Sequence, residues 1–348
     1  MKFYVSLVFV LMFGFTSCNA QASAEDTLYV AFWNLENLFD TVDDSLKNDE
    51  EFLPAGGKEW TNERLDKKYY NLARVIRLMG NGNGPDILGV CEIEHKYLLD
   101  SLTSKFLSDL NYSSAGLEAP DERGIENGLI YNADKFSLLS VTGDTVVLSD
   151  GYPTRLILGC TLVSKNNDTL NIFVNHWPSR RGGEQESEIN RIEAAKILRK
   201  NVDELLSINS ESKIIIMGDF NDEPGNISIS EVLNAQPVCH DTIEQKIKDT
   251  GLYNLSYTLY KNGEGSYKYR ESWNMLDQII ISGNFFNIEK LSYSCNTFEV
   301  FKPSIMVTRT GKFAGTPFPT YGGSRYLGGY SDHFPVQVKF VVKEKNDE

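Results

Sequence analysis

Lys213-Ile-Ile-Ile-Met-Gly-Asp219-Phe-Asn221-Asp222 is an apolar, β-branched run that stops abruptly at an acidic residue. Apolar residues in unbroken succession, without period-two alternation, read as a strand covered on both faces. The same design recurs along the chain. Thr27–Trp33 (TLYVAFW) runs into Asn34, Asp86–Cys91 (DILGVC) into Glu92, and Leu170–Asn175 (LNIFVN) into His176. Leu276–Ser282 (LDQIIIS) begins with Asp277, and Ser331-Asp332-His333 leads into the strand-like Phe334–Val342. Helical spacings lie between these runs. Thr61–Met79 carries Leu65, Tyr69, Leu72, Ile76 and Met79 on one face and is stopped by Gly80-Asn-Gly-Asn-Gly84. Tyr97–Leu110 reads as a second helix. Glu184–Leu206 reads as a third, with Ile189, Ile192, Ala195, Val202 and Leu205 on its apolar face. The sum is sheets covered by helices in one domain, 27–342, followed by a polar tail, 343–348. The long loops Thr41–Trp60 and Cys295–Gly329 are left to rim a site.

With 348 residues, 41% hydrophobic and 24% charged, the chain is globular in composition, which excludes disorder and coiled coil. Acidic side chains outnumber basic ones 48 to 34, a formal charge of −14. That balance argues against coating nucleic acid or anionic membrane by charge alone. It leaves open an enzyme that binds phosphate locally through a metal and a few arginines.

Residues 1–17 contain Lys2 and then the apolar run Phe3–Phe15, too short to span a bilayer comfortably and laid out as an export signal. Phe15-Thr-Ser-Cys18 resembles a bacterial lipobox, which implies cleavage before Cys18 and a lipid on its thiol. The alternative is a plain secretory signal in which Cys18 is incidental. Residues 18–26 then form a tether. The expectation is an exported, monomeric protein on the periplasmic or cell-surface side of a bacterial membrane, touching that membrane only through its lipid anchor. Cys91 and Cys160 lie in apolar runs and read as core thiols. Cys239 and Cys295 are available to pair, which spacing alone does not establish. No CxxC occurs, so a cysteine-ligated zinc site is not expected.

Strand ends in layered α/β folds hold ligands because the scaffold is rigid and the following loops are free to vary. Here they supply Asn34, Glu92, His176, Asp219, Asn221, Asp277, Asp332 and His333. Carboxylates without thiolates favour Mg²⁺ or Mn²⁺, with Ca²⁺ admissible, over zinc. A hard divalent ion with imidazoles beside it suits hydrolysis of a phosphate ester.

These residues stand in motifs similar to those of the endonuclease/exonuclease/phosphatase superfamily. The motifs are Phe32-Trp-Asn34, Pro85–Glu92 (PDILGVCE), Val174-Asn-His176-Trp, Met217-Gly-Asp219-Phe-Asn221-Asp, Leu276-Asp277-Gln-Ile and Ser331-Asp332-His333-Phe-Pro335. Six motifs arrive in the family's order and span nearly the whole mature chain. The resemblance implies an α+β fold: a four-layer αββα sandwich of two facing, mostly antiparallel sheets covered by helices. It implies Glu92 as principal metal ligand, with Asn34 beside it and Asp332 near the metal. Asp219 and Asn221 would position the attacking water and the phosphoryl oxygens. His333, oriented by Asp277, would act as general base or charge stabiliser, and His176 would bond the phosphate or assist the leaving group. In the deoxyribonuclease branch a carboxylate between the second and third motifs pairs with the His176-type histidine. Glu122 and Glu126 are both candidates for it, and Arg123 is placed to contact phosphate.

Other polar residues read as fold or surface. Glu36 reads as a loop or fold residue, Glu94 and His95 as solvated, and Cys239-His240-Asp241 as surface. Arg180 and Arg181, in the glycine-containing loop after His176, are poor core material and suit bidentate phosphate contact. Arg325 is a weaker candidate of the same kind. The functional expectation is a divalent-metal-dependent phosphodiester hydrolase, a nuclease acting on DNA or RNA. The alternative is a phosphatase or phospholipase-type enzyme on a lipid, inositol or other small phosphate ester. A non-catalytic surface protein on the same fold would have lost site positions, and none of the core ones is missing.

Overall fold

A computed structural model describes residues 26–238, 247–287 and 291–342. The export signal, most of the tether, Cys239-His240-Asp241 and the polar tail lie outside the described residues, as does any Cys239–Cys295 pairing. In chain order the elements are β1 (Asp26–Leu38), α1 (Asn62–Gly82), β2 (Ile87–Ile93), α2 (Lys96–Ser101), β3 (Tyr112–Gly116), β4 (Glu126–Asn132), β5 (Phe136–Val147), β6 (Pro153–Ser164) and β7 (Thr169–His176). Next come α3 (Glu188–Ile208), β8 (Lys213–Asp219), β9 (Ala235–Pro237), β10 (Leu252–Asn254), α4 (Tyr257–Lys261) and β11 (Tyr267–Tyr269). The last are β12 (Ser272–Asn274), β13 (Asp277–Ser282), β14 (Leu291–Tyr293), β15 (Glu299–Val300), β16 (Tyr321–Gly322), β17 (Arg325–Tyr326) and β18 (Val336–Val342).

Two large sheets face each other. The first runs β14-β18-β1-β2-β4-β3, with β15 also on β18; the second runs β5-β6-β7-β8-β13-β10-β9. Most neighbours are antiparallel. The β1–β2, β7–β8 and β9–β10 pairs are parallel, and the first two bring consecutive strand C-termini to the same end of the sandwich.

The unbroken apolar runs are explained by burial on two fronts. Along β8, Ile215 and Met217 join the core shared with the first sheet and α1, whereas Ile214 and Ile216 pack with Ala194, Ala195, Leu198 and Val202 of α3. Strand side chains alternate in direction, so a strand between a sheet and a helix is apolar at every position. Gly218 lets β8 lie close to β7: a Cβ there would stand 2.4 Å from the Asn175 carbonyl oxygen and 2.6 Å from its Cβ. Gly218→Ala should cost roughly 1–3 kcal/mol, the usual penalty for overpacking, read as a lower denaturant midpoint. An unchanged midpoint would show that the two strands can part there.

The helices follow their sequence signals in part. Thr61 caps α1, its Oγ1 accepting the Arg64 N–H at 3.4 Å, and regular helical backbone ends at Met79 (ψ 169°) before the left-handed Gly80 and Asn81. All five expected apolar residues of α1 are buried. The Tyr97–Leu110 helix is not continuous: α2 is short and passes into a π-turn, Leu102–Phe106, and a 3₁₀ turn, Ser108–Leu110. In α3 the buried face is rotated from the expected one. Ile189 is 46% exposed, and Arg191 is buried because its guanidinium pairs with Asp222 at 2.7 Å.

Candidate active site

Strand register assembles the site. In the second sheet His176 of β7 lies opposite Asp219 of β8, and Asp219 opposite Asp277 of β13, so three polar residues stand abreast at one edge. In the first sheet Asn34 of β1 lies opposite Cys91 of β2, one residue before Glu92. Asn34 Nδ2 joins the two sheets, donating to Glu92 Oε1 at 3.2 Å and to Asp219 Oδ2 at 3.1 Å. The other Glu92 oxygen accepts the Asn37 N–H at 3.1 Å, and Asp219 Oδ1 accepts the Asn221 N–H at 3.0 Å.

Four non-glycine residues here take positive φ: Glu36 (51°), Asn37 (57°), Glu92 (59°) and Asn221 (50°). Such backbone is retained where the surroundings over-determine it, and it concentrates at functional sites. Glu36 is a fold residue, as expected: its carboxylate accepts the N–H groups of Thr320 and Tyr321 and lies 3.9 Å from the buried Lys68.

His333 precedes β18 and is locked from several sides. Its Nδ1 is 2.7 Å from Asp277 Oδ2, its N–H donates to Ser331 Oγ at 3.0 Å, and its carbonyl accepts Trp33 Nε1–H at 3.0 Å. Tyr267 stacks on the ring at 4.6 Å, and Ser266 Oγ bonds the same Asp277 oxygen. Burial alone would neutralise this imidazole, but Asp277, Asp332 and Asp219 together hold it protonated, well above its ordinary range. His176 is the opposite case. Burial, and then the nearby Arg155 and Arg123, keep it neutral, well below its ordinary range. Both imidazoles aim Nε2 inward: His333 Nε2 and His176 Nε2 each lie 3.9 Å from Asp219 Oδ2, and His176 Nε2 is equally far from Glu92 Oε1.

A cleft of about 620 Å³ opens over this floor, lined by six of the eight strand-end residues; Asn34 and Asp277 sit behind it. The lining includes Arg123, Arg155, Arg180 and Arg181 and two aromatics, Tyr267 and Tyr269. Arg180 is tied by Nε to the Asn221 carbonyl at 2.7 Å and pairs with Glu184 at 3.2 Å. Arg123 donates to Asn37 Oδ1 at 2.7 Å. Arg325 does not line the cleft, and neither do 41–60 or 295–329; the rim comes from the loop after His176 and the β11–β12 hairpin. Loop length did not show which loops stand over the strand C-termini.

The carboxylate expected beside His176 is not there. Glu126 Oε1 accepts the Ala119 N–H at 2.6 Å, and burial raises that acid to about 8; Glu122 makes no side-chain hydrogen bond to the ring. His176 Nδ1 is buried and has no hydrogen-bond partner among the described residues. Sequence reading also passed over Arg155, although a lone arginine opening an apolar strand was a usable signal. It is 9% exposed and lies 3.5 Å from Asp121. Tyr267-Lys-Tyr269-Arg270 is likewise a short aromatic–basic alternation whose place at the site is not apparent from sequence. Glu94 is buried rather than solvated, since its carboxylate accepts the Asp40 N–H at 2.7 Å.

The donor set fits a hard divalent cation. Burial pushes Asp219 up to about 6, and desolvation with the Glu36 and Glu92 carboxylates holds Asp332 up at about 7 against the pull of His333. A cavity floor so rich in desolvated negative charge is stabilised by a cation. Facing sheets with carboxylates, imidazoles and arginines gathered at one end of the sandwich suit hydrolysis of phosphoester bonds.

The chain belongs to the endonuclease/exonuclease/phosphatase family, whose sequence model matches residues 29–342. Members of that family are hydrolases acting on phosphoester bonds and generally use divalent metals. Among solved structures, a family protein from Bacteroides thetaiotaomicron is 17% identical, with a TM-score of 0.56 over 92% of this chain and 100% of that one. A mannosyl-6-phosphatase from the same organism is 18% identical, TM-score 0.53, over 90% and 99%. D. rerio TDP2 complexed with a single-strand DNA product is 14% identical, TM-score 0.54, over 91% and 99%. At these identities the likeness is one of fold. No curated protein matches by sequence.

Proposed function

We propose that this protein is a divalent-metal-dependent phosphodiester hydrolase acting on nucleic acid. The observation that carries it is the set of inward-facing groups on one floor: His333 and His176 Nε2, each 3.9 Å from Asp219 Oδ2, with Glu92 alongside. Glu92, with Asn34 and Asp332, would hold Mg²⁺ or Mn²⁺, which when bound neutralises charge on the phosphate. Asp219, steadied by Asn34 and by the Asn221 N–H, orients a water and takes its proton as the water oxygen bonds to phosphorus. The P–O ester bond breaks, and the leaving oxygen takes up a proton from solvent. His333, fixed as a cation by its 2.7 Å pair with Asp277, is the charge stabiliser rather than the base. It bonds the phosphoryl oxygens through Nε2–H. Neutral His176 offers a second donor from the opposite side.

Nucleic acid is favoured by the lining of the cleft: Arg123, Arg180 and Arg181 suit successive phosphates, and the half-exposed Tyr269 offers a stacking face. A second reading, a small phosphate ester, is favoured by the modest size of the cleft. Nicking of supercoiled plasmid by the purified protein with Mg²⁺, Mn²⁺ or chelator separates the two. Metal-dependent nicking supports the nuclease; intact DNA with release of inorganic phosphate from small esters supports the other. Arg180→Ala with Arg181→Ala should weaken nucleic-acid binding and lower its salt slope by about one unit for each phosphate no longer neutralised. An unchanged slope removes that loop from the substrate path.

The export signal, lipid anchor and monomeric state belong to the same proposal. The first two rest on Phe15–Cys18 and the polar tether, and labelling with a radioactive fatty acid, with and without Cys18→Ala, tests them; sedimentation of the purified protein tests the third.

A further inference from the structure

Among the described residues, a second group of side chains converges away from the cleft. Asp40, just beyond β1, and Glu94 and His95, just beyond β2, each place one ligand atom within 4.8 Å of the others. Glu94 is 1% exposed, and so is Asp49, whose carboxylate lies against it. Asp49 Oδ2 accepts the Asp44 N–H at 3.0 Å, but its Oδ1 is buried with no hydrogen-bond partner. Among the described residues no lysine or arginine pairs with Asp40, Asp49 or Glu94; Lys47 turns instead to the carbonyls of Ala119 and Asp121, at 2.7 and 2.9 Å. Two buried carboxylates side by side need either a shared proton or a cation. The Asp40 carboxylate and the His95 imidazole converging on Glu94 favour the cation. His95 is steadied in place, its Nδ1 lying 3.1 Å from Glu118 Oε2.

We propose that Asp40, Glu94 and His95, with the buried Asp49 behind Glu94, bind a second divalent cation, separate from the one at Glu92. Mixed imidazole and carboxylate donors suit Zn²⁺ or Mn²⁺ better than Ca²⁺, which takes oxygen ligands. Bound there, the ion clasps the loop after β1 to the start of α2, directly behind the left-handed turn at Glu92. It is a structural clamp and takes no part in the reaction.

Equilibrium dialysis of the metal-stripped protein against Zn²⁺ alone, and against Mn²⁺ alone, followed by elemental analysis, tests the site. Glu92→Gln should keep the clamp ion. Asp40→Asn with His95→Ala, both at partly exposed positions, should lose one equivalent, or at least about 100-fold in affinity for it. The same pair should also lose the rise in Tm that the ion gives the wild type by binding only the folded state. Asp49→Asn should act likewise. An equivalent count and Tm rise that survive both sets of substitutions overturn the proposal and leave a shared proton between Asp49 and Glu94. Failure of the reading at Glu92 looks different: the count is then insensitive to Glu92→Gln but still falls with Asp40 and His95.

Discussion

Asp219→Asn should lower the hydrolytic rate by about 10³-fold, in the range for removing a positioned acid–base group, with the fold intact. Asp219 reaches Asn34, the Asn221 backbone and both imidazoles: it accepts from Asn34 across the sheet interface, carries the Asn221 N–H, and stands 3.9 Å from both imidazole Nε2 atoms. Asparagine keeps the volume and one acceptor oxygen, so the turn at Asn221 can be retained while the proton acceptor is lost. The check is a single-turnover rate on whichever phosphate ester the wild type cleaves, beside a thermal melt. A rate within tenfold of wild type, with the melt unchanged, would pass the role of base to another group.

Glu92→Gln should act through the metal. Its carboxylate is held at both ends, by Asn34 Nδ2 and by the Asn37 N–H, on a residue with φ of 59°. A ligand so constrained is pre-organised, and glutamine offers one neutral oxygen in place of two charged ones. The metal concentration for half-maximal activity should rise at least tenfold, a loss of roughly the size seen when even an outer partner of a ligand is removed. Saturating metal should restore part of the rate. Titrating Mg²⁺ and Mn²⁺ against initial rate reads this directly. A shift below twofold would mean that Glu92 is not a principal ligand.

Much of the floor is legible in the sequence. Asn34, Glu92, His176, Asp219, Asp277 and His333 each stand where an apolar run meets a polar residue, a local signal that survives whatever the rest of the chain does. Other features depend on contacts between distant segments. Arg155 looks like one charge on a strand, and it matters because β6 lies beside β7 and so comes near His176. The missing carboxylate at His176 could not be read from Glu122 or Glu126 either, because the Ala119 N–H draws Glu126 away. Arg191 rotates the expected face of α3 for a similar reason: its partner Asp222 lies beyond β8, far from it in sequence.

The sequence by itself determined the central strands, the extents of α1 and α3 and the polar residues at the strand ends, because burial on one or two faces leaves its mark on a short stretch of chain; the four-layer arrangement was implied by the family resemblance. Tertiary structure alone decided the charge states of the two histidines, the loops that rim the cleft and the burial of Glu94 and Asp49. Those are set by which charges and dipoles lie within a few ångströms once the chain has folded, and sequence distance carries no record of that separation.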